Sequence, residues 1–437
     1  MTTARLFKMV SGKVMLALCL MFILGNGNCG GCDNGDPADP GDGNGSGILS
    51  AARIARWDGS QWHALRQGVK NPTPIPPIDF GPASVNGLAV DADTLVLVGG
   101  YFWFADNAQA NSVASWVTGN NSWQGFGTFE APGVSGGELA GGANSVDAVY
   151  ATPFGRTLFV GGDFSTVYNY DDNDQIIELG ANNVAMFYLD IGYWDILTTG
   201  ADAQVNAVKV NSLGLLIGGI FQSAGGVAGT NLIARWDILN SQWASVGGGI
   251  TGSDVMALAV DLDNWSHMLV GGTFSQAGAV PANNIVRWAG NQWEALGEGL
   301  NGTVYDIALS GSDVYAAGQF FTADYLLFNI LAKWDGSTWT MLGDQINPAG
   351  QEEKYLIRGL ALAINGNDLY LGGHFTSMGG VTVNHVARLD LTNGTWSDLT
   401  GGVHNIGTGA FSGVRALAIS ENDVIVGGTF LEVGTSN

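Results

Sequence analysis

Two stretches of this chain set aromatic rings beside polar side chains. "YFWFADN" supplies Tyr101, Trp103 and Phe104, and "DFSTVYNYDDNDQ" supplies Tyr168 and Tyr170 followed by Asp171, Asp172 and Asp174. Rings next to carboxylates suit the faces and hydroxyls of sugars, or the anchor residues of a protein hot spot. Asp171, Asp172 and Asp174 also offer the oxygen ligands that calcium takes, without the Gly and distant Glu of an EF-hand loop. Calcium is therefore the one metal these residues suggest, and no other cofactor is implied. There are five histidines. His374 and His385 flank one loop, and His404 lies in a later connection, so a histidine-held metal is a second arrangement to test. No His-Glu-x-x-His, nucleophile elbow or phosphate-cradling loop occurs. Acidic residues are plentiful enough to leave glycoside hydrolysis by a carboxylate pair open.

The balance of charge narrows the partners. Sixteen basic against 39 acidic side chains give a net charge of −23. Nucleic acid is disfavoured, because binding to phosphates is driven by Lys and Arg displacing counterions. Such acidity fits solubility outside the cell. The first 32 residues read as an export signal: Arg5, Lys8 and Lys13 precede the apolar run "VMLALCLMFIL", which is too short to span a bilayer as a helix. The three cysteines, Cys19, Cys29 and Cys32, all fall in this region, so residues 48–437 carry no disulfide or thiolate chemistry. Cys32, with Cys29 as the alternative, resembles the lipid-attachment cysteine of bacterial lipoproteins, which implies a cell-surface, periplasmic or released protein. Residues 33–47, "DNGDPADPGDGNGSG", read as a flexible tether.

The elements that must position the aromatic and acidic residues recur along the chain. Gly-Gly-x-Phe, with Ala317-Gly318 as one variant, ends at Phe102, Phe164, Phe221, Phe274, Phe320, Phe375 and Phe430. Before each Gly pair lie two short β-rich runs joined by turn residues, as in "VNGLAV" and "TLVLV". After it come a loop, a third run such as "IARWD", and a fourth of the form Trp-x-x-apolar. The fourth-run tryptophans are Trp62, Trp123, Trp194, Trp243, Trp293, Trp339 and Trp396. Four short antiparallel strands at this period predict a β-propeller blade, with the tryptophans as core wedges between sheets. The first structured residues, 48–65, hold only a third and a fourth strand, and the C-terminal copy holds only a first and a second. The expected fold is thus all-β, a seven-bladed β-propeller of four-stranded antiparallel blades. Its last blade joins N-terminal strands 3–4 to C-terminal strands 1–2, which covers edges otherwise open.

These repeats resemble those of kelch-type propellers, the group that includes the central domain of galactose oxidase. The variant "GGTFSQAGAV…NNIVRWAGNQWEALGEG" is also similar to repeats of secreted bacterial proteins and of Rax2-like fungal cortical proteins. The resemblance covers residues 48–437 and implies binding of a protein or a glycan. It does not carry over a copper site, whose cross-linked cysteine has no counterpart here. Second-to-third and fourth-to-first connections emerge on one face and contain the long insertions, so that face is the expected binding face. The leading expectation is a secreted or surface-tethered binding or scaffold module recognising a protein or polysaccharide. Alternatives are a carbohydrate-active enzyme using the acidic loop residues, and a purely structural envelope protein.

Overall fold

The second strand of each repeat is buried along nearly its whole length, as in Leu95–Tyr101 and Gly214–Gly219, because its sheet is covered on both faces. A computed structural model describes residues 48–72, 82–91, 95–126, 134–135, 142–152, 155–171, 173, 175–211, 214–261, 264–321, 327–345, 357–406 and 412–435. All of them belong to the second of two units into which the chain divides, Gly43–Asn437. The export segment, the tether, Cys29, Cys32, Asp172 and Asp174 lie outside the described residues. The protein is all-β and its sheets are antiparallel.

The sheets share one path from first strand to fourth. Sheet I runs Ser84–Asp91, Leu95–Tyr101, Val113–Val117, Ser122–Gly125, and sheet II runs Gly142–Thr152, Gly155–Asp163, Val184–Tyr188, Tyr193–Ile196. Sheet III is Val205–Asn211, Gly214–Gly219, Ile233–Asp237, Gln242–Ser245; sheet IV is Ile250–Asp261, Asn264–Ala277, Ile285–Trp288, Trp293–Ala295. Sheet V is Val304–Ser310, Asp313–Phe321, Phe328–Trp334, Trp339–Leu342; sheet VI is Arg358–Asn365, Asp368–His374, Val386–Asp390, Thr395–Asp398. Sheet VII is composite. Val414–Ser420 and Asp423–Gly428 pair with Ile54–Trp57, which pairs with Trp62–Ala64. First strands of successive sheets touch, and the first strand of sheet VII touches those of sheets VI and I.

The repeated residues explain this packing. A Cβ on the first glycine of the pair would strike a valine in the first strand of the next sheet: Gly161 against Val205, Gly218 against Val255, Gly271 against Val304, Gly372 against Val414, and Gly427 against Val85. A Cβ on the second glycine would strike a backbone carbonyl oxygen at the start of the adjacent first strand, as Gly219 would at Gln204, just before the strand, and Gly373 at Arg358. That second approach is close because the first strands are bulged here. Pairing skips Asn86, Asn206, Met256, Tyr305, Leu360 and Arg415, and a bulge re-aims the skipped side chain.

The Trp-x-x-apolar motif joins neighbouring sheets. Each fourth-strand ring lies against its own third strand; Trp236–Trp243 and Trp288–Trp293 are edge-on pairs at 5.2 and 4.9 Å. In five of the seven the indole N–H then donates to the carbonyl of the apolar residue that ends the motif one sheet earlier. Trp123 donates to Leu65 at 2.9 Å, Trp194 to Phe126 at 3.1 Å, Trp243 to Leu197 at 3.0 Å and Trp339 to Leu296 at 2.9 Å. Trp62, near the start of the described chain, donates to Leu399 at 2.6 Å. Trp293 departs from the series: its buried indole nitrogen has no hydrogen-bond partner among the described residues.

Candidate functional site

The aromatic residues singled out by sequence, and Asp171 with them, sit at the edge where second strands end and third strands begin. The connections there, expected as loops, are partly strand. Val69–Lys70 pairs with Phe104–Ala105, which pairs with Ala108–Gln109. Val134–Ser135 pairs with Thr166–Tyr170, which pairs with Ile176–Gly180. Val403–His404 pairs with Glu432–Gly434, which pairs with Ile48–Ser50. In each case the segment leaving one sheet's fourth strand zips onto a segment of the next sheet. Single-residue bridges Ala201–Ala224 and Ala224–Val227 repeat the arrangement in miniature.

The described candidates lie on these accessory strands or directly beside them. Phe102 is fully buried, and its neighbour Trp103 is 37% exposed. Trp103 is fixed through its backbone, whose N–H donates to Lys70 and whose carbonyl accepts from Ala110 and Asn111. Tyr101 and Phe104 are half-buried. On the next hairpin Tyr168 is half-buried, with its hydroxyl 3.3 Å from Thr166 Oγ1. Tyr170 is exposed beside its cross-strand partner Ile176, also exposed. The buried Asn169 clamps this hairpin to sheet II: its Nδ2 donates to Trp194 O at 2.7 Å, and its Oδ1 accepts from Trp194 N at 2.8 Å. Asp171 Oδ1 accepts the backbone N–H groups of Asn173 and Gln175 at 2.8 and 2.9 Å, so this carboxylate holds the hairpin turn. The rings of Trp103 and Tyr170 thus stand on separate hairpins, from sheets I and II.

Three features went unread in the sequence. The first is a shallow cavity of about 440 Å³ lined by Asn182, Asn183, Thr199, Asp202, Ser223 and glycine backbone. Its Asp202 carboxylate accepts from Gln222 N and Ser223 N. The second is an amide clamp before the third strand. Asn183 Nδ2 donates to Ala201 O at 3.0 Å and Asn284 Nδ2 to Leu300 O at 2.7 Å. The recurring Asn before "NNIVRW"-type runs was its signal. The third is polar linkage between first strands. Arg415 Nη1 donates to Asn86 Oδ1 at 2.7 Å and Arg358 Nη1 to Tyr305 OH at 3.0 Å. Burial pushes Arg415 down to about 10. Burial also pushes Asp306 up to about 6, opposed by its bonds from Leu362 N and Ile307 N and by Lys209.

The histidines do converge. His374 and His385 rings meet edge-on at 5.4 Å, and His374 Nδ1 lies 2.8 Å from Ser412 Oγ. Among the described residues no group of three or more His, Cys, Asp or Glu side chains could share a metal ion. No helix there is long and apolar enough to cross a membrane.

A family model described as a domain of unknown function (DUF5122) beta-propeller matches residues 367–395, which span the second and third strands of sheet VI and reach the first residue of the fourth. With the antiparallel sheets above, it supports a β-propeller. No curated protein matches the chain. Among solved structures, the chain is similar to the computationally designed Ika8 protein at 14% identity and a TM-score of 0.40, covering 80% of this chain and 94% of that one. It is also similar to the extracellular domain of the putative one component system BT4673 from B. thetaiotaomicron. That match has 12% identity and a TM-score of 0.46, covering 84% of this chain and 39% of that one.

Proposed function

We propose that residues 48–437 close into a seven-bladed propeller of kelch-like type. We further propose that the propeller is an exported binding or scaffold module, released or tethered through Cys32. Closure is supported by the pairing of Ile54–Trp57 with Asp423–Gly428, by the Trp62–Leu399 bond and by the seat of Val85 against Gly427. Recognition of a protein or glycan is carried by one observation: Trp103 and Tyr170 present exposed rings on hairpins that are themselves pinned to the sheets. A ring held in place loses little conformational freedom when it stacks on a ligand. Asp171, committed to its turn, serves as a positioning group for Tyr170.

A panel of soluble polysaccharides and envelope proteins, screened by thermal shift on the full chain, tests the reading. A ligand that binds only the folded state at a hundred times its dissociation constant stabilises by about 2.7 kcal/mol. The Trp103→Ala, Tyr170→Ala double variant should melt like wild type alone and lose the ligand-induced shift. A shift that survives this variant would move the binding surface elsewhere.

A further inference from the structure

His385 occupies a slot that holds asparagine in two other repeats. The backbone of the slot is the same each time. φ is 71° at Asn183, 64° at Asn284 and 65° at His385. The N–H donates to Phe164, Phe274 and Phe375 respectively, and the carbonyl accepts from Gly162, Gly272 and Gly373. The preceding asparagine is also equivalent, its carbonyl accepting from Ala201, Leu300 and Val403 in turn. In the first two repeats the slot's own amide closes the clamp onto Ala201 O and Leu300 O. In the third, the ring replaces the amide. His385 is 9% exposed, and its Nδ1 is buried with no hydrogen-bond partner among the described residues.

The segment this clamp would hold is the one that zips the two ends of the described chain together. Val403–His404 pairs with Glu432–Gly434, and that strand pairs with Ile48–Ser50. His404 Nε2 lies 2.6 Å from Gly434 O. We propose that His374, His385 and His404 form an acid-operated clasp on this closing sheet: with His385 neutral the sheet stays zipped, and protonation of His385 releases it.

The physical argument is short. A second proton in this cluster meets burial and two neighbouring imidazoles. His374 faces His385 from the end of its second strand, and His404 from the closing strand. Glu432 lies across the strand pair from His404. Burial first, then His374 and His404, hold His385 down to about 4, from an ordinary 6.5. The released state takes up the proton more readily, so closure is fully favoured above about pH 6.5. It weakens as pH falls toward 4 and changes no further below that. The released-to-closed ratio should rise roughly 30-fold by pH 5, from the distance between 6.5 and 5 on the pH scale.

The test is hydrogen exchange by mass spectrometry on the full chain from pH 7 to 5, corrected for intrinsic rates. It compares wild type with His385→Asn, which restores the residue found at 183 and 284. In wild type, protection of 403–404, 432–434 and 48–50 should fall about 30-fold relative to the second strand of sheet III. In His385→Asn it should hold. Parallel loss in both proteins, or no loss in either, would overturn the clasp. Should the variant fail to fold, the titration of the His385 C2 proton in wild type decides. A midpoint near 4 supports the proposal, and one at 6 or above sinks it.

Discussion

Trp243 and Trp293 form a matched pair for testing what the fourth-strand tryptophans contribute beyond volume. Both are buried, at 6% and 5% exposure, and both meet a third-strand tryptophan edge-on. They differ in one bond. Trp243 Nε1 donates to Leu197 O at 3.0 Å, whereas Trp293 Nε1 is buried without a partner. Replacing either ring with Phe removes similar apolar volume, so that cost cancels in the comparison. Trp243→Phe also loses one buried hydrogen bond, worth about 1 kcal/mol net. Leu197 O keeps its bond from Gly200 N, so no acceptor is orphaned. Trp293→Phe instead removes a donor whose burial already costs about 1–3 kcal/mol. Trp243→Phe should therefore be the more destabilising by about 2–4 kcal/mol. Urea unfolding followed by far-ultraviolet circular dichroism measures the difference. Equal losses would mean the indole bonds between sheets carry no stability, and that Trp-x-x-apolar is a matter of ring size alone.

Two further outcomes follow from the packing and from the buried acid. Removing residues 48–65 uncovers the Asp423–Gly428 edge and takes away Ile54, Trp57, Trp62 and Leu65, all buried. At about 1.5–3 kcal/mol for each such side chain, roughly 6–12 kcal/mol is lost, and the open edge should promote association on gel filtration. An unchanged melting temperature would refute closure through the termini. Asp306, raised from 3.8 to about 6, favours folding below pH 3.8 and loses that advantage as pH rises through 6. The loss amounts to about 3 kcal/mol. Asp306→Asn should therefore gain on wild type as pH rises from 4 to 6, and a pH-independent difference would show that Asp306 does not titrate there. His385 acts in the opposite sense over much of this range, so the two nearly cancel in wild type, and variant differences are the readable quantity.

The strand pattern was legible because burial on two faces writes itself as apolar runs, and because Gly-Gly and Trp are costly to replace where sheets touch. The Gly427–Val85 and Trp62–Leu399 contacts are the same motif met at the chain's two ends, and the split copy in the sequence already pointed to them. The candidate surface was legible only as composition. "YFWFADN" announces rings, yet which ring faces solvent depends on alternation along a hairpin: Phe102 is buried and Trp103 exposed. Asp171 looked like a ligand because a carboxylate before Asp-Asn-Asp is ambiguous until its hydrogen bonds are seen; they close a turn.

By itself the sequence determined the repeated four-strand unit, the pairing of an incomplete first copy with an incomplete last one, and the acidic, cysteine-free character of residues 48–437. These are local or periodic properties, fixed by side-chain type at fixed spacing. Only the tertiary structure decided which side chains meet across repeats. Arg415 beside Asn86, His385 beside His374 in an asparagine's slot, and Trp293 without the bond that five of its counterparts make are all examples. Residues distant in the chain become neighbours through sheet packing, and a bulge or a left-handed φ re-aims single side chains in ways that residue type alone does not encode.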